Sequence, residues 1–204
     1  PGTPAFQRWF GDSKVVDADG KPLVVYHGTA EDVSRFDPER AGQEKYSDWG
    51  KGIYFTPSPS TADYYRGEAA KKRDTESDRL WALLEAEEKK TTWKNGAPTY
   101  TDEHTRLLGE WRSARATAEN RAGSVMPVYL SIKNPLVQEY SSMPDPFLAD
   151  RAKADGRDGI IVLNGNGGID EIIAFRPEQI KSATGNSGTY DPADPSILNK
   201  DSAD

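Results

Sequence analysis

Three short stretches hold most of the residues whose types could do chemistry: "VVYHGT" (24–29), "GKGIYFT" (50–56) and "DEIIAF" (170–175). The first carries one of only two histidines, His27; the second sets Tyr54 just beyond two glycines; the third opens an apolar run with Glu171. Taken singly, each has an ordinary structural explanation. A histidine at a strand end is commonly a satisfied structural residue, a strand tyrosine commonly core, and a glutamate at the head of a strand commonly solvated. Taken together, glycines before a bulky aromatic strand suggest rings arranged around a ligand, since glycine lets a backbone approach closely.

Other chemistries drop out quickly. The chain has no cysteine, which excludes thiolate catalysis, disulfides and cysteine zinc sites, and two histidines are too few for a histidine-based metal centre. No G-x-x-x-x-G-K-[ST] loop is present, the glycines of "NGNGGID" (164–170) precede a strand, and no G-x-S-x-G supports a serine nucleophile. A formal net charge of −7 argues against a general nucleic-acid sleeve. No window of about 18 apolar residues suggests a membrane span, and a soluble, cytoplasmic module cut from a longer protein is expected.

The elements that must position these residues can be read from pattern. Residues 5–12 suggest a short helix ending at Gly11, and short β runs surround the Asp19-Gly20 turn. Residues 30–49 read as a long loop. Ser58-Pro59 starts a helix that continues to about Lys90, "KNGAP" (94–98) breaks it, and a second helix runs from near Thr101 to Asn120. Strands follow at 125–132, 159–163, 171–175 and 179–183. The result is an α+β domain over 1–187 with a charged helical hairpin inserted at about 66–122, and an extended tail or linker at 188–204.

The three stretches together resemble the H-Y-E signature of ADP-ribosyltransferases of the diphtheria-toxin and poly(ADP-ribose) polymerase type. "PLVVYHGT" and "IKSATGN" are similar in particular to the ADP-ribosyltransferase domains of phage and mobile-element polyvalent proteins. The resemblance covers residues 5–60 and 125–187; the 66–122 hairpin has no assigned counterpart. It implies a split β-sandwich of two small, mainly antiparallel sheets with surrounding helices, and NAD⁺ as co-substrate with no metal. It also implies roles. His27 would bond an adenosine-ribose hydroxyl, Gly28 would hold the nicotinamide amide by its backbone, and Thr29 and Gly52 would border the donor. Tyr54 would face the cationic nicotinamide ring. A second ring would come from the Thr61-Ala62-Asp63-Tyr64 pattern, where an ungapped count selects Tyr65 instead. Glu171 would hold the ribose and offset charge in an oxocarbenium-like state. Glu178 is its rival on sequence, and Asp170 is expected on the opposite strand face. Arg40, with Arg35 and Lys45, could meet the pyrophosphate.

Arginine-modifying relatives carry Glu or Gln two residues before the catalytic glutamate, where this chain has Ile169. The reading ranked first is a monomeric mono-ADP-ribosyltransferase acting on a macromolecular acceptor, protein before nucleic acid. An NAD⁺ glycohydrolase and a non-catalytic binding module stay open beside it. The hairpin is a possible partner surface.

Overall fold

The computed structural model describes residues 1–30, 33–37, 48–72, 75–94, 97–120, 123–141, 143–186, 188 and 190–198. Its helices are α1 (Pro4–Phe10), α2 (Pro59–Lys72), α3 (Thr75–Glu88), α4 (Asp102–Asn120) and α5 (Leu148–Ala154). Its strands are β1 (Val25–Thr29), β2 (Ile53–Phe55), β3 (Thr92–Lys94), β4 (Ala97–Thr99), β5 (Ser124–Leu130), β6 (Leu136–Glu139), β7 (Gly159–Leu163), β8 (Ile169–Ala174) and β9 (Ile180–Ser182). The chain divides into two units. One comprises Pro1–His27, Asp32–Ala62 and Val125–Asp204; the other comprises Gly28–Glu31 and Asp63–Ser124.

The first unit is organised by two sheets, ordered β1-β5-β9 and β2-β8-β7-β6. Pairing is antiparallel for β5–β9, β2–β8 and β7–β8, and parallel for β6–β7. A parallel pair needs a crossover, and α5 lies in the chain between β6 and β7. Val25, Val128, Leu130 and Ile180 of one sheet join Ile53, Phe55, Ile161, Ile172 and Ala174 of the other in one buried core. The alternation of β8 explains the division: Ile172 and Ala174 face that core, while Ile173 packs with Ile160 and Val162 on the other face.

Local chemistry sets the helix boundaries. Thr3 accepts the Phe6 amide at 3.2 Å, Pro4 follows it, and Gly11 at φ +51° ends α1. That helix buries Phe6, Trp9 and Phe10 against Tyr129 and Tyr190. Ser58 starts α2 as its sequence suggests, its Oγ accepting the Thr61 amide at 3.2 Å.

The helix expected to about Lys90 is described over α2 and α3, and residues 73–74 between them lie outside the described residues. The "KNGAP" break is the middle of a β3–β4 hairpin, with Thr92 opposite Thr99 and Lys94 opposite Ala97. Thr92 and Trp93 are β-favouring types, and Asn95-Gly96 lie outside the described residues. Leu80 and Leu84 of α3 and Leu107 of α4 form the second unit's buried cluster.

The segment expected as a free tail is not one as far as residue 198. Tyr190 packs on α1 and Ile197 is fully buried in the main core. The buried Lys181 ammonium donates to the Asp194 and Ser196 carbonyls at 2.5 and 2.8 Å. Ile197 also receives the Ser182 amide at 2.9 Å and donates its own to Ser34 at 2.9 Å. Polar composition suggested a linker; two well-placed apolar side chains suffice to anchor it. Ile197→Ala should therefore lower unfolding stability in urea by about 2–4 kcal/mol, whereas a free tail would leave the midpoint unchanged.

Candidate active site

The run Asp48–Gly52 leads into β2, and its glycines have packing reasons of their own. Gly50 adopts φ +94°, and a Cβ there would lie 2.5 Å from the Pro146 carbonyl oxygen and 3.0 Å from the Ala149 Cβ. A Cβ on Gly52 would lie 2.2 Å from the Ile173 Cγ2. The missing side chains admit β8 and the segment entering α5, so the strand entry bends against protein. Between the turn and those glycines sits Trp49, buried with Leu148, Ala149, Ala152, Ile160, Val162 and Ile173. Its carbonyl accepts the Ala149 amide at 2.9 Å.

Tyr54 and Glu171 share a sheet face. Tyr54 is opposite Ile173 in the β2–β8 register, and Glu171 stands two residues from Ile173 on β8. Trp49 ties them together. Its backbone N–H donates to the Tyr54 hydroxyl at 3.3 Å, and its side chain hydrogen-bonds the Glu171 carboxyl. The Tyr54 hydroxyl in turn donates to the Gly50 carbonyl at 2.6 Å, holding the ring by its tip.

His27 is fixed from the other sheet. The Tyr26–Thr56 bridge links β1 to the end of β2, with N–H···O distances of 2.8 and 3.0 Å. The imidazole packs edge-on to Phe36 at 5.0 Å and tilts against Phe55 at 5.5 Å. Its Nδ1 lies 2.8 Å from the Tyr54 carbonyl oxygen. A carbonyl only accepts, so Nδ1 carries the proton. Burial holds the His27 pKa below its ordinary value, with the Tyr54 carbonyl opposing. The ring is thus neutral near pH 7, and Nε2 is an acceptor suited to a hydroxyl.

Glu171 is the most perturbed group of this site. Burial pushes its carboxyl up to about 7; Asp48 and Asp170 push the same way, and the Trp49 hydrogen bond opposes them. The β7–β8 register shifts here: Val162 pairs with Glu171 and Leu163 with Ile169. Asp170 is left as the extra residue of a bulge, so strict alternation no longer places it on the opposite face. It is exposed. The "NGNGG" turn beyond it is closed by Asn164, whose Oδ1 accepts the Asn166 and Gly168 amides, both at 3.0 Å. Glu178 lies past the strand in a 3₁₀ turn, Pro177–Gln179, its carbonyl accepting from the Trp9 indole at 3.0 Å.

His27, Tyr54 and Glu171 all belong to the first unit: Tyr54 and Glu171 share the β2–β8 face that packs on Trp49 and α5, whereas the His27 ring packs on Phe36 and Phe55 of the core and meets Tyr54 through its backbone carbonyl. Thr61 is in that unit too, exposed on the first turn of α2 with its hydroxyl donating to Ser58 Oγ at 2.9 Å. Gly28, Thr29 and Tyr64 belong to the second unit, where Tyr64 is 64% exposed with its ring centroid 5.6 Å from that of Tyr65. Arg40 and Lys45 lie outside the described residues, and Arg35 bridges to Ser196. Among the described residues no group of His, Asp and Glu is placed to hold a metal ion, and no helix is long and apolar enough to cross a membrane. Sequence reasoning passed over Trp49. Its signal was a large indole in a turn otherwise made of Asp, Gly and Lys.

The raised Glu171 pKa has a consequence for folding. The folded state holds this proton more tightly than the unfolded chain, so stability falls as pH rises from the usual carboxylate range through about 7. Glu171→Gln keeps an acceptor for Trp49 and removes that loss. Allowing for partial exposure, the variant should be more stable than the parent by about 2 kcal/mol near about pH 8. Denaturant titrations at the two pH values should show the difference vanish near about pH 4.

No curated protein and no solved structure matches the chain. The family model described as ADP-ribosyltransferase in polyvalent proteins matches residues 17–78, a stretch that includes His27, Trp49 and Tyr54 and supports an ADP-ribosyltransferase of that type.

Proposed function

We propose that this chain is an NAD⁺-dependent mono-ADP-ribosyltransferase with His27, Tyr54 and Glu171 as its working residues, acting on a macromolecular acceptor. The observation that carries this reading is the Trp49 bridge. One buried indole residue holds an aromatic ring and a carboxylate with a raised pKa on the same sheet face.

The reaction such a site performs can be followed bond by bond. The neutral His27 ring offers Nε2 to a ribose hydroxyl of the donor. Tyr54 presents its ring to the cationic nicotinamide. The bond between the nicotinamide nitrogen and the ribose C1′ breaks, its electron pair leaving with neutral nicotinamide. Positive charge then grows on the ribose, and the ionised Glu171 carboxylate, holding the 2′-hydroxyl, offsets it. That attraction is stronger in the transition state than in the ground state, which is the condition for catalysis. An acceptor lone pair attacks C1′, and the acceptor's proton is lost to solvent or to Glu171.

The test is nicotinamide release from NAD⁺ by the purified chain, alone and with a cell lysate, followed by transfer of ADP-ribose label. Glu171→Gln should lower kcat by about 10²–10³-fold with little change in KM. Release without label transfer would instead mark a glycohydrolase, and no release from folded protein would overturn the enzyme reading.

The pH profile follows from the same groups. The carboxylate is the working form, so release should rise through about pH 7 and level off above it. Burial holds the His27 pKa below its ordinary value, so its ring stays neutral near pH 7. Trp49→Phe removes the hydrogen bond that favours the carboxylate, so its inflection should move to higher pH. An unmoved inflection would remove Trp49 from the site.

A further inference from the structure

The segment joining β6 to α5 displays large apolar side chains that the fold does not use. Met143 is 77% exposed and Phe147 68% exposed, with Tyr140 also at the surface. Exposed apolar side chains are ordinary when scattered, but Met143 and Phe147 lie four residues apart on one short turn beside the candidate site. Residues 143–147 are tied by local bonds. Pro144 and Pro146 flank Asp145, which accepts the Phe147 amide at 3.1 Å and pairs with Arg151. The Leu148 amide closes on the Asp145 carbonyl at 3.0 Å.

It also abuts the candidate active site. The Pro146 carbonyl is the atom that forbids a side chain on Gly50, and the Ala149 amide binds the Trp49 carbonyl. Trp49 then reaches Tyr54 and Glu171. Phe147 thus stands in the chain between two residues that touch the Trp49–Gly50 turn.

Charge identifies the visitor. Residues 137–150 carry Glu139, Asp145 and Asp150 and no Lys or Arg, and Asp48 and Asp170 are exposed nearby in the site. Arg151 pairs with Asp145, and Lys153 donates to the Lys51 carbonyl at 2.7 Å and lies over the Phe175 ring; with the Lys51 ammonium near Lys153, three cations stand against these five carboxylates and the surface stays acidic. We infer that the Met143–Phe147 segment docks the acceptor, and that the acceptor is a protein presenting an apolar residue flanked by basic ones. A pre-ordered apolar anchor loses little entropy on binding, which suits it to be the central contact of such an interface. This inference rests on the transferase reading and adds the partner to it.

The variant Met143→Ser/Phe147→Ser tests it. Phe147 is the N-cap of α5 and makes no side-chain cap bond there, so serine at that place favours the helix. Nicotinamide release without acceptor should stay within about twofold of the parent, while label transferred to lysate proteins should fall at least about tenfold. Equal labelling by parent and variant would overturn the docking site while leaving the enzyme intact; loss of release in the parent would sink the enzyme reading instead. A second arm needs no catalysis. A synthetic peptide with a Phe-Leu centre and lysine flanks should bind the parent at least about tenfold more tightly than the variant, and more tightly than its glutamate-flanked counterpart. No preference for the lysine peptide, label found on nucleic acid, or a parent dimer dissociated by Phe147→Ser would each overturn the inference.

Discussion

A carboxylate set among apolar side chains loses hydration each time it ionises. The arrangement around Glu171 is organised by that constraint. Ile173 and Val162 come from its own sheet, Trp49 and α5 cover the same face, and one indole hydrogen bond favours the charged form against burial and two neighbouring acids. A fully solvated glutamate would ionise freely but would gain little from growing positive charge, because water screens the attraction. A fully buried one would stay protonated. The balance near pH 7 keeps the group able to ionise in a place where its charge counts.

That balance needs backbone to come close to backbone. Trp49 can lie under α5 only because Gly50 leaves room for the Pro146 carbonyl, and β2 can lie beside β8 only because Gly52 leaves room for Ile173. The same contacts fix both the tyrosine and the carboxylate, so geometry and electrostatics are set by one packing event. His27 is joined to it through the Tyr54 carbonyl. Its tautomer follows from that bond: the protein uses the Nδ1–H on the Tyr54 carbonyl, and Nε2 keeps its lone pair.

Much of the α+β pattern was legible in the sequence because it rests on strong local signals. The Ser58-Pro59 start, the Gly11 stop and the apolar runs at 159–163 and 171–175 all depend on a few neighbouring residues. What escaped depends on partners far along the chain. β6 is a short, half-exposed edge strand recognisable chiefly through its parallel pairing with β7, and Ile197 reads as tail until Ser34 and Ser182 bind it. Within the site, Tyr54 and Glu171 could be singled out by type and setting. Trp49 could not, since its meaning comes from two hydrogen bonds to residues 5 and 122 positions away. The bulge at Asp170 was hidden for the same reason: a register shift belongs to two strands, not one.

The stretch that matches the polyvalent-protein family ends at residue 78, and Glu171 lies well beyond it. What joins them is the pairing of β2 with β8, where Tyr54 meets Ile173 across the ladder. A shift of one residue in that register would turn Tyr54 into the core and Phe55 toward Trp49, because side chains alternate strictly along a strand. Ile53 and Phe55 on the core face and Ile172 with Ala174 opposite them make that shift costly, since each would exchange a buried apolar position. The hydrophobic core therefore does more than stabilise the sheets. By fixing one register, it decides that a tyrosine and a glutamate separated by more than half of the chain stand on the same face.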